Sequence, residues 1–191
     1  MSGARGLMPT VLRQYAFQAL YQLDASGRGA SLETVAGWVR EQAGVGEPEA
    51  ERVMRVVTPA WQGRAEADKA ITAISPQWPA HRLAAVDRAI LRVGYFQLQS
   101  AKDAGECKAI VSGCVSLARE YSTEKSPQFV NALLDRMAKG KMGGGEAAGG
   151  ADAAAADEPL PAAPDAGEEG GAGGGGEGGG GGGGDGGGDG D

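Results

Sequence analysis

One stretch, residues 83–99, constrains the fold of this chain more than any other and reads LAAVDRAILRVGYFQLQ. On a helical wheel its apolar residues cover most of the circumference, and one narrow polar stripe holds Arg88, Arg92 and Gln99. A helix with this pattern is enclosed by neighbours on nearly every side and shows water one thin basic edge. The stretch therefore predicts the central helix of an all-α core.

Helical spacing of apolar residues recurs along the first 142 residues, and no segment reads as a strand. Thr10 and Ser31 are predicted N-caps of the first two helices. Ser126, followed by a proline, is predicted to cap the last helix, which ends at Gly140. Whether Pro59 kinks one helix or separates two is left open. We predict six or seven helices joined by short loops.

The composition changes sharply at residue 143. Residues 143–191 contain 23 glycines in 49 residues and no aromatic residue, lysine or arginine, so this segment cannot bury enough apolar surface to fold. The first 142 residues hold all 18 Lys and Arg against 14 acidic residues, and the remaining 11 acidic residues lie in the tail. We predict a flexible arm (1–9), a mildly basic globular domain (10–142) and a disordered acidic tail (143–191).

Several classes of site are excluded by residue types. A single histidine, His81, rules out His clusters and with them most zinc and Ser-His-Asp arrangements, and its place two residues after Pro79 predicts a helix-start residue instead of a catalytic base. No phosphate-binding glycine motif precedes a helix in the folded part. Cys107 and Cys114 would lie about 10 Å apart along one helix, too far for a disulfide, so we expect buried, reduced thiols. Membrane spans and a signal peptide are not evident. We predict a cytoplasmic, non-enzymatic protein without a cofactor or metal.

Three blocks carry a resemblance to a known family: RQYAFQALYQLD near the start, WPAHRLAAVDRAILRVGYFQL in the middle and SLAREYSTEKSPQFVNALLDRMA near the end. In order and spacing they resemble the NusB family of bacterial transcription antitermination factors, over about residues 10–139. The resemblance implies two small helical bundles in one domain and no catalytic site. It also implies binding of boxA-like single-stranded RNA in ribosomal RNA transcripts together with NusE, a ribosomal small-subunit protein. Other Nus factors and RNA polymerase would be contacted indirectly.

The same resemblance implies a set of RNA-binding residues. Arg13 matches the last arginine of the family's N-terminal basic motif, but the arginines before it are missing and only Arg5 could substitute. A second departure is that Ser112 and Gly113 replace an Asn-Glu pair, and a mid-helix glycine costs about 1 kcal/mol relative to alanine. The full predicted set is Arg5, Arg13, Tyr21, Arg88, Arg92, Lys108, Lys125 and Ser126.

Alternatives remain open for both the site and the function. Arg88 and Arg92 could be a solvated stripe paired with Asp87 or Glu124 instead of an RNA contact. The chain could be a protein-interaction module that has lost RNA binding, because its arginine arm is thin. It could also be an RNA-binding appendage acting in ribosomal RNA maturation. The acidic tail could compete with RNA within the molecule, or be only a solubilising extension.

Overall fold

The computed structural model describes residues 7–26, 29–42, 45–143 and the single residue 161. The predictions for Arg5, for the first six residues of the arm and for almost all of the tail concern residues outside these ranges. The described ranges contain seven α-helices, one short 3₁₀ turn and no strand, which confirms the all-α prediction. The helices are α1 (Pro9–Ala25), α2 (Leu32–Arg40), α3 (Glu47–Gln62), α4 (Arg64–Ile74), α5 (Ala85–Ser100), α6 (Ala104–Tyr121) and α7 (Ser126–Gly143).

The central position predicted for residues 83–99 belongs to α5. This helix packs against α1, α3, α4, α6 and α7, and its side chains Ile90, Leu91 and Val93 are fully buried. The helix begins two residues later than predicted, because the 3₁₀ turn Ala80–Arg82 is capped by an extended Leu83. Apolar residues around most of the circumference of α5 thus meet neighbouring helices, as the sequence pattern requires.

A glycine in the middle of α5 sets how closely its neighbours approach. A Cβ atom added at Gly94 would lie 2.8 and 2.9 Å from the two terminal methyl carbons of Leu134 and 3.1 Å from Sγ of Cys114. The two separations from Leu134 are shorter than real Cβ contacts, and the one from Cys114 is tighter than most of them. Gly94 therefore gives up helix propensity so that α6 and α7 can pack directly on the α5 backbone.

Helix starts agree only partly with the predictions. Ser31 caps α2 as predicted, because its hydroxyl accepts a hydrogen bond from the backbone N–H of Thr34 at 3.1 Å. The prediction for Thr10 was wrong: α1 begins at Pro9 with Met8 as N-cap, and no side chain caps it. A proline at the first position favours the helical start without a capping side chain, because its own N–H is absent.

Two further boundaries are settled by the structure. Pro59 lies within the last turn of α3, and the break before α4 falls at Gly63. The last helix continues beyond Gly140 to Gly143, contrary to the prediction. Its extra turn is held by Lys141, whose Nζ donates hydrogen bonds to the carbonyls of Gln99 at 2.8 Å and Ala101 at 2.6 Å. A lysine here stabilises the carbonyl end of α5.

Both cysteines are free and buried, which confirms the absence of a disulfide between them. Burial raises the pKa of the Cys114 thiol to about 12, an effect only partly offset by the charge of nearby Arg13. Cys114 therefore stays protonated at neutral pH and acts as a small apolar residue of the core.

Candidate nucleic-acid interface

Arg88 and Arg92 belong to a cluster with two carboxylates, which we call the arginine–aspartate cluster. Arg92 donates two hydrogen bonds, of 2.8 and 2.7 Å, to the carboxylate of Asp68 on α4. Its Nη1 lies 3.0 Å from Oδ1 of Asp24 on α1. Arg88 meets the same Asp24 with its Nη2 at 2.6 Å from Oδ2. Arg92 is 4% exposed, so the predicted water-facing stripe was wrong for this residue. The cluster joins α1, α4 and α5.

The charges of this cluster favour one another strongly enough to outweigh burial. Burial opposes ionisation of Asp24, but hydrogen bonds and charge from Arg92 and Arg88 lower the pKa of its carboxyl group. Burial likewise opposes the charged form of Arg92, yet Asp68 and Asp24 raise the pKa of its guanidinium group. Arg88 also donates to the carbonyl of Leu83 at 3.0 Å. Both arginines therefore have structural partners, which are neither Asp87 nor Glu124.

Ser126 is fully buried and anchors the loop between α6 and α7. Its hydroxyl donates to Oδ2 of Asp87 at 3.0 Å and accepts from the backbone N–H of Thr123 at 3.2 Å. The hydroxyl thus bonds backward into the loop, and Ser126 is the first residue of α7 instead of its predicted N-cap. Burial raises the pKa of Asp87, although hydrogen bonds from Ser122 and Ser126 partly offset it. Because Ser126 is buried, it would affect RNA binding only by holding this loop in position.

The anchored loop carries Lys125, which is exposed. This loop starts from the end of α6, which contacts α1 through Phe17. Tyr21 follows Phe17 by four residues and hence lies on the same face of α1. The ring of Phe17 packs against Tyr121 at the end of α6, with ring centroids 5.0 Å apart. Tyr21 is partly exposed, one turn farther along. These contacts place Tyr21 on the face of α1 that meets the end of α6, where the loop to Lys125 begins.

Arg13 lies in the interior, at a junction of three helices. It is 8% exposed, and its Nε donates to Oε1 of Gln97 on α5 at 2.7 Å. Its guanidinium crosses α6 at Gly113, where an added Cβ would lie 2.6 Å from Nη1. Burial lowers the pKa of Arg13, with the nearby Cys114 acting in the opposite direction. Gly113, the residue that departs from the family pattern, thus makes room for Arg13.

A double-mutant cycle measures this arrangement. With Arg13 replaced by alanine, Gly113→Ala should raise the free energy of unfolding by about 1 kcal/mol, the ordinary propensity gain in a helix. With Arg13 present, the same substitution displaces the guanidinium from Gln97, and most of the gain should be lost. Denaturant titration of the four proteins gives the coupling, expected to exceed about 0.5 kcal/mol. Equal effects in both backgrounds would show that Gly113 has no such role.

Lys108 is exposed on α6. The same face of α6 also carries Arg119, an exposed cation that is absent from the predicted set. Four residues at helical spacing on α6 line a groove between α6 and α7: Lys108, Ser112, Val115 and Arg119. The α6–α7 groove has two adjoining parts of about 550 and 580 Å³, which share Val115 and Asn131. Arg119 lies at the loop end and Lys108 nearer the end of α7. The spacing of eleven residues, about three helical turns, places Arg119 on the same face as Lys108 and could have predicted it from the sequence.

The described ranges contain no cluster of three or more His, Cys, Asp or Glu side chains that could hold a metal ion. Across the same ranges, no helix has both the length and the apolar character needed to span a bilayer. A mildly basic, all-helical domain with exposed cations along one helix and its following loop belongs to the class of helical binding domains.

Comparison with known proteins identifies the family within that class. The NusB family model matches residues 10–139, nearly the whole described part of the chain. The transcription antitermination protein NusB of Symbiobacterium thermophilum is 35% identical over 153 residues, covering 76% of this chain and 96% of that protein. NusB of Streptomyces coelicolor is 37% identical over 128 residues, covering 65% and 88%. The chain belongs to the NusB family of non-enzymatic, RNA-binding transcription antitermination factors.

Solved structures agree with this assignment. NusB of T. maritima superposes with a TM-score of 0.63 at 25% identity, over 70% of this chain and 92% of that one. A chain from a crystal structure of antitermination factors NusB and NusE with double-stranded RNA superposes with a TM-score of 0.59 at 27% identity. That match covers 73% of this chain and 98% of the other. The shared fold therefore extends over nearly the full length of both relatives.

Proposed function

We propose that this protein acts in the bacterial cytoplasm as an antitermination factor that binds boxA-type RNA of ribosomal RNA transcripts together with NusE. It would connect this RNA to other Nus factors and RNA polymerase only indirectly. The observation that carries the proposal is the match to NusB over residues 10–139. It is supported by the fold shared with a NusB crystallised with NusE and RNA.

On this proposal, RNA contacts come from cations that the fold leaves exposed. Lys125 lies on the anchored loop, and Lys108 and Arg119 follow along the α6–α7 groove. Tyr21 lies on the face of α1 that packs against the end of α6, from which this loop starts. A positively charged track with an aromatic side chain suits a single-stranded backbone and an unpaired base. Arg88, Arg92 and Ser126 of the predicted set would act by holding the helices and the loop beneath this surface.

Buried Arg13 and the missing arginines of the arm reduce the number of phosphate contacts available to the isolated protein. Each such contact adds a salt-dependent increment of affinity. We therefore propose that the protein binds boxA-like RNA weakly alone and gains affinity from NusE. The burial of Arg13 also favours the second candidate function, a protein-interaction module that has lost RNA binding.

Neutralising Lys125 tests the proposed surface. Lys125→Gln should weaken binding of boxA-type RNA in the presence of NusE about fivefold, corresponding to loss of about 1 kcal/mol. The slope of log K against log salt should become shallower by about 0.7, the value of one phosphate contact on a single strand. Filter binding or fluorescence anisotropy at several salt concentrations measures both quantities.

The matched control removes an exposed charge from another part of the surface. Arg52 is exposed on α3, a helix that packs on α1, α2, α4 and α5. Arg52→Gln should leave both the affinity and the salt slope unchanged. Equal losses from the two variants would indicate a general charge effect, and no loss from Lys125→Gln would remove this loop from the RNA surface.

A further inference from the structure

The part of the α6–α7 groove nearest the end of α7 is apolar and open. Its wall carries Cys107, Val111 and Val115 from α6 and Ala138 and Met142 from α7. Met142 is 40% exposed and is one of two large hydrophobic side chains so exposed in the described part of the chain. This part of the groove has a volume of about 550 Å³, which suits a few apolar side chains of a short peptide segment. We call this part the Met142 end of the groove.

The chain leaves the described domain at this same place. Residue 143 ends α7, directly after Met142, and the tail continues from there. Within residues 143–191 the sequence contains one large aliphatic side chain, Leu160, flanked by Pro159 and Pro161. Pro161 is the one described residue of the tail beyond α7, and it is partly shielded from solvent. The tail therefore holds a single short apolar motif, EPLPAAP, in an otherwise Gly, Ala and acidic sequence.

Length and charge both allow this motif to reach the groove. Fourteen residues, 144–157, separate the end of α7 from the motif, and a linker of this composition and length spans about 20 Å on average. From Ala104 to Val115 the wall on α6 extends for about 17 Å. Asp157 and Glu158 precede the Pro159–Leu160 pair in a tail of net charge −11, while Lys108 is exposed on the groove rim. Acidic residues beside Leu160 thus suit a rim that carries a lysine.

We propose that residues 158–162 of the tail dock in the Met142 end of the α6–α7 groove of the same chain, with Leu160 as the anchor. Prolines on both sides of Leu160 restrict the unbound segment and lower the entropy lost on docking. Short linkage places the motif at an effective concentration in the millimolar range, so an affinity too weak for a separate peptide suffices. The docking step itself does not rest on the proposed RNA-binding function.

Amide NMR spectra of the full-length protein test this docking. Leu160→Asp should release the motif and shift the amide signals of Val111, Ser112, Val115 and Asn131, with few changes elsewhere in the domain. The control Ala154→Asp adds the same charge to the same tail outside the motif and should leave these signals in place. A spectrum of Leu160→Asp that matches the wild-type spectrum at these four residues would overturn the proposal.

Thiol labelling provides a second readout that does not depend on spectral assignment. Cys107 lies in the groove wall and is 4% exposed, whereas Cys114 is fully buried. Leu160→Asp should increase the labelling rate of Cys107 several-fold and leave Cys114 unreactive, and Ala154→Asp should change neither rate.

Groove amide signals that shift with protein concentration in both variants would assign the groove to a second copy of the chain and contradict docking of the tail.

Discussion

Replacing Arg92 by methionine is expected to lower the free energy of unfolding by about 3 kcal/mol, near the lower bound for breaking a buried ion pair. The substitution leaves the carboxylate of Asp68 without its two hydrogen bonds and removes one of the two cations at Asp24. The side chain of Asp68 is 31% exposed, so water can partly replace the guanidinium and keeps the loss from being larger. Denaturant titration and the thermal midpoint give the change.

Two further variants separate a structural role of Arg92 from an RNA contact. Arg52→Met removes an exposed arginine and should change stability by less than about 0.5 kcal/mol. Arg92→Met combined with Asp68→Leu removes the stranded carboxylate and should recover most of the stability, because apolar replacement of a buried pair is often nearly neutral. An Arg92→Met protein with unchanged stability but weaker RNA binding would show that this arginine serves the RNA surface.

Gly94→Ala is expected to lower the free energy of unfolding by about 2 kcal/mol, although alanine normally stabilises a helix. The added methyl group would lie 2.8 Å from Leu134, so either the side chain leaves its rotamer or α7 moves away from α5. Gly94→Val adds two more carbons at the same contact and should cost about 3 kcal/mol or more. Both values come from denaturant titration.

Gly37 provides the matched control for this substitution. It lies within α2, where an added Cβ meets no atom within 4 Å, so Gly37→Ala should raise the free energy of unfolding by about 0.5 to 1 kcal/mol. Shortening the contacting side chain by Leu134→Ala should also make the cost of Gly94→Ala smaller than in the wild type. Effects of equal sign at Gly94 and Gly37 would mean that close packing at α5 does not determine the outcome.

Apolar periodicity was sufficient to predict the helices and the central place of α5, because burial of an amphipathic face depends on residues within one segment. The environment of its polar stripe could not be predicted in the same way. Arg92 is neutralised by Asp68 and Asp24, which are 24 and 68 positions away in the sequence, and no local pattern indicates that pairing. A polar stripe on a buried helix is compatible with water, with nucleic acid or with internal ion pairs.

Similar limits apply to single residues of the candidate site. Ser126 followed by proline has the pattern of an N-cap, yet its hydroxyl accepts from Thr123 in its own loop and donates to Asp87. Only the packing of α5 against the loop brings Asp87 near. The family pattern predicts only a loss of helix stability at Gly113. In the structure the guanidinium of Arg13 lies across its backbone, and this packing could not be read from the sequence. Lys108 and Lys125 are both exposed, which leaves them available for the predicted RNA contact.

Binding of boxA-type RNA to the full-length protein, measured with and without NusE at physiological salt, tests the proposed function most directly. We expect binding of the protein alone to be weak, in the micromolar range or above, and to become at least tenfold tighter when NusE is present. Such a gain corresponds to a coupling of about 1.4 kcal/mol between the two partners. RNA binding that is absent both with and without NusE would contradict the proposal and favour a protein-interaction module. Nanomolar binding without NusE would contradict the expected dependence on the partner.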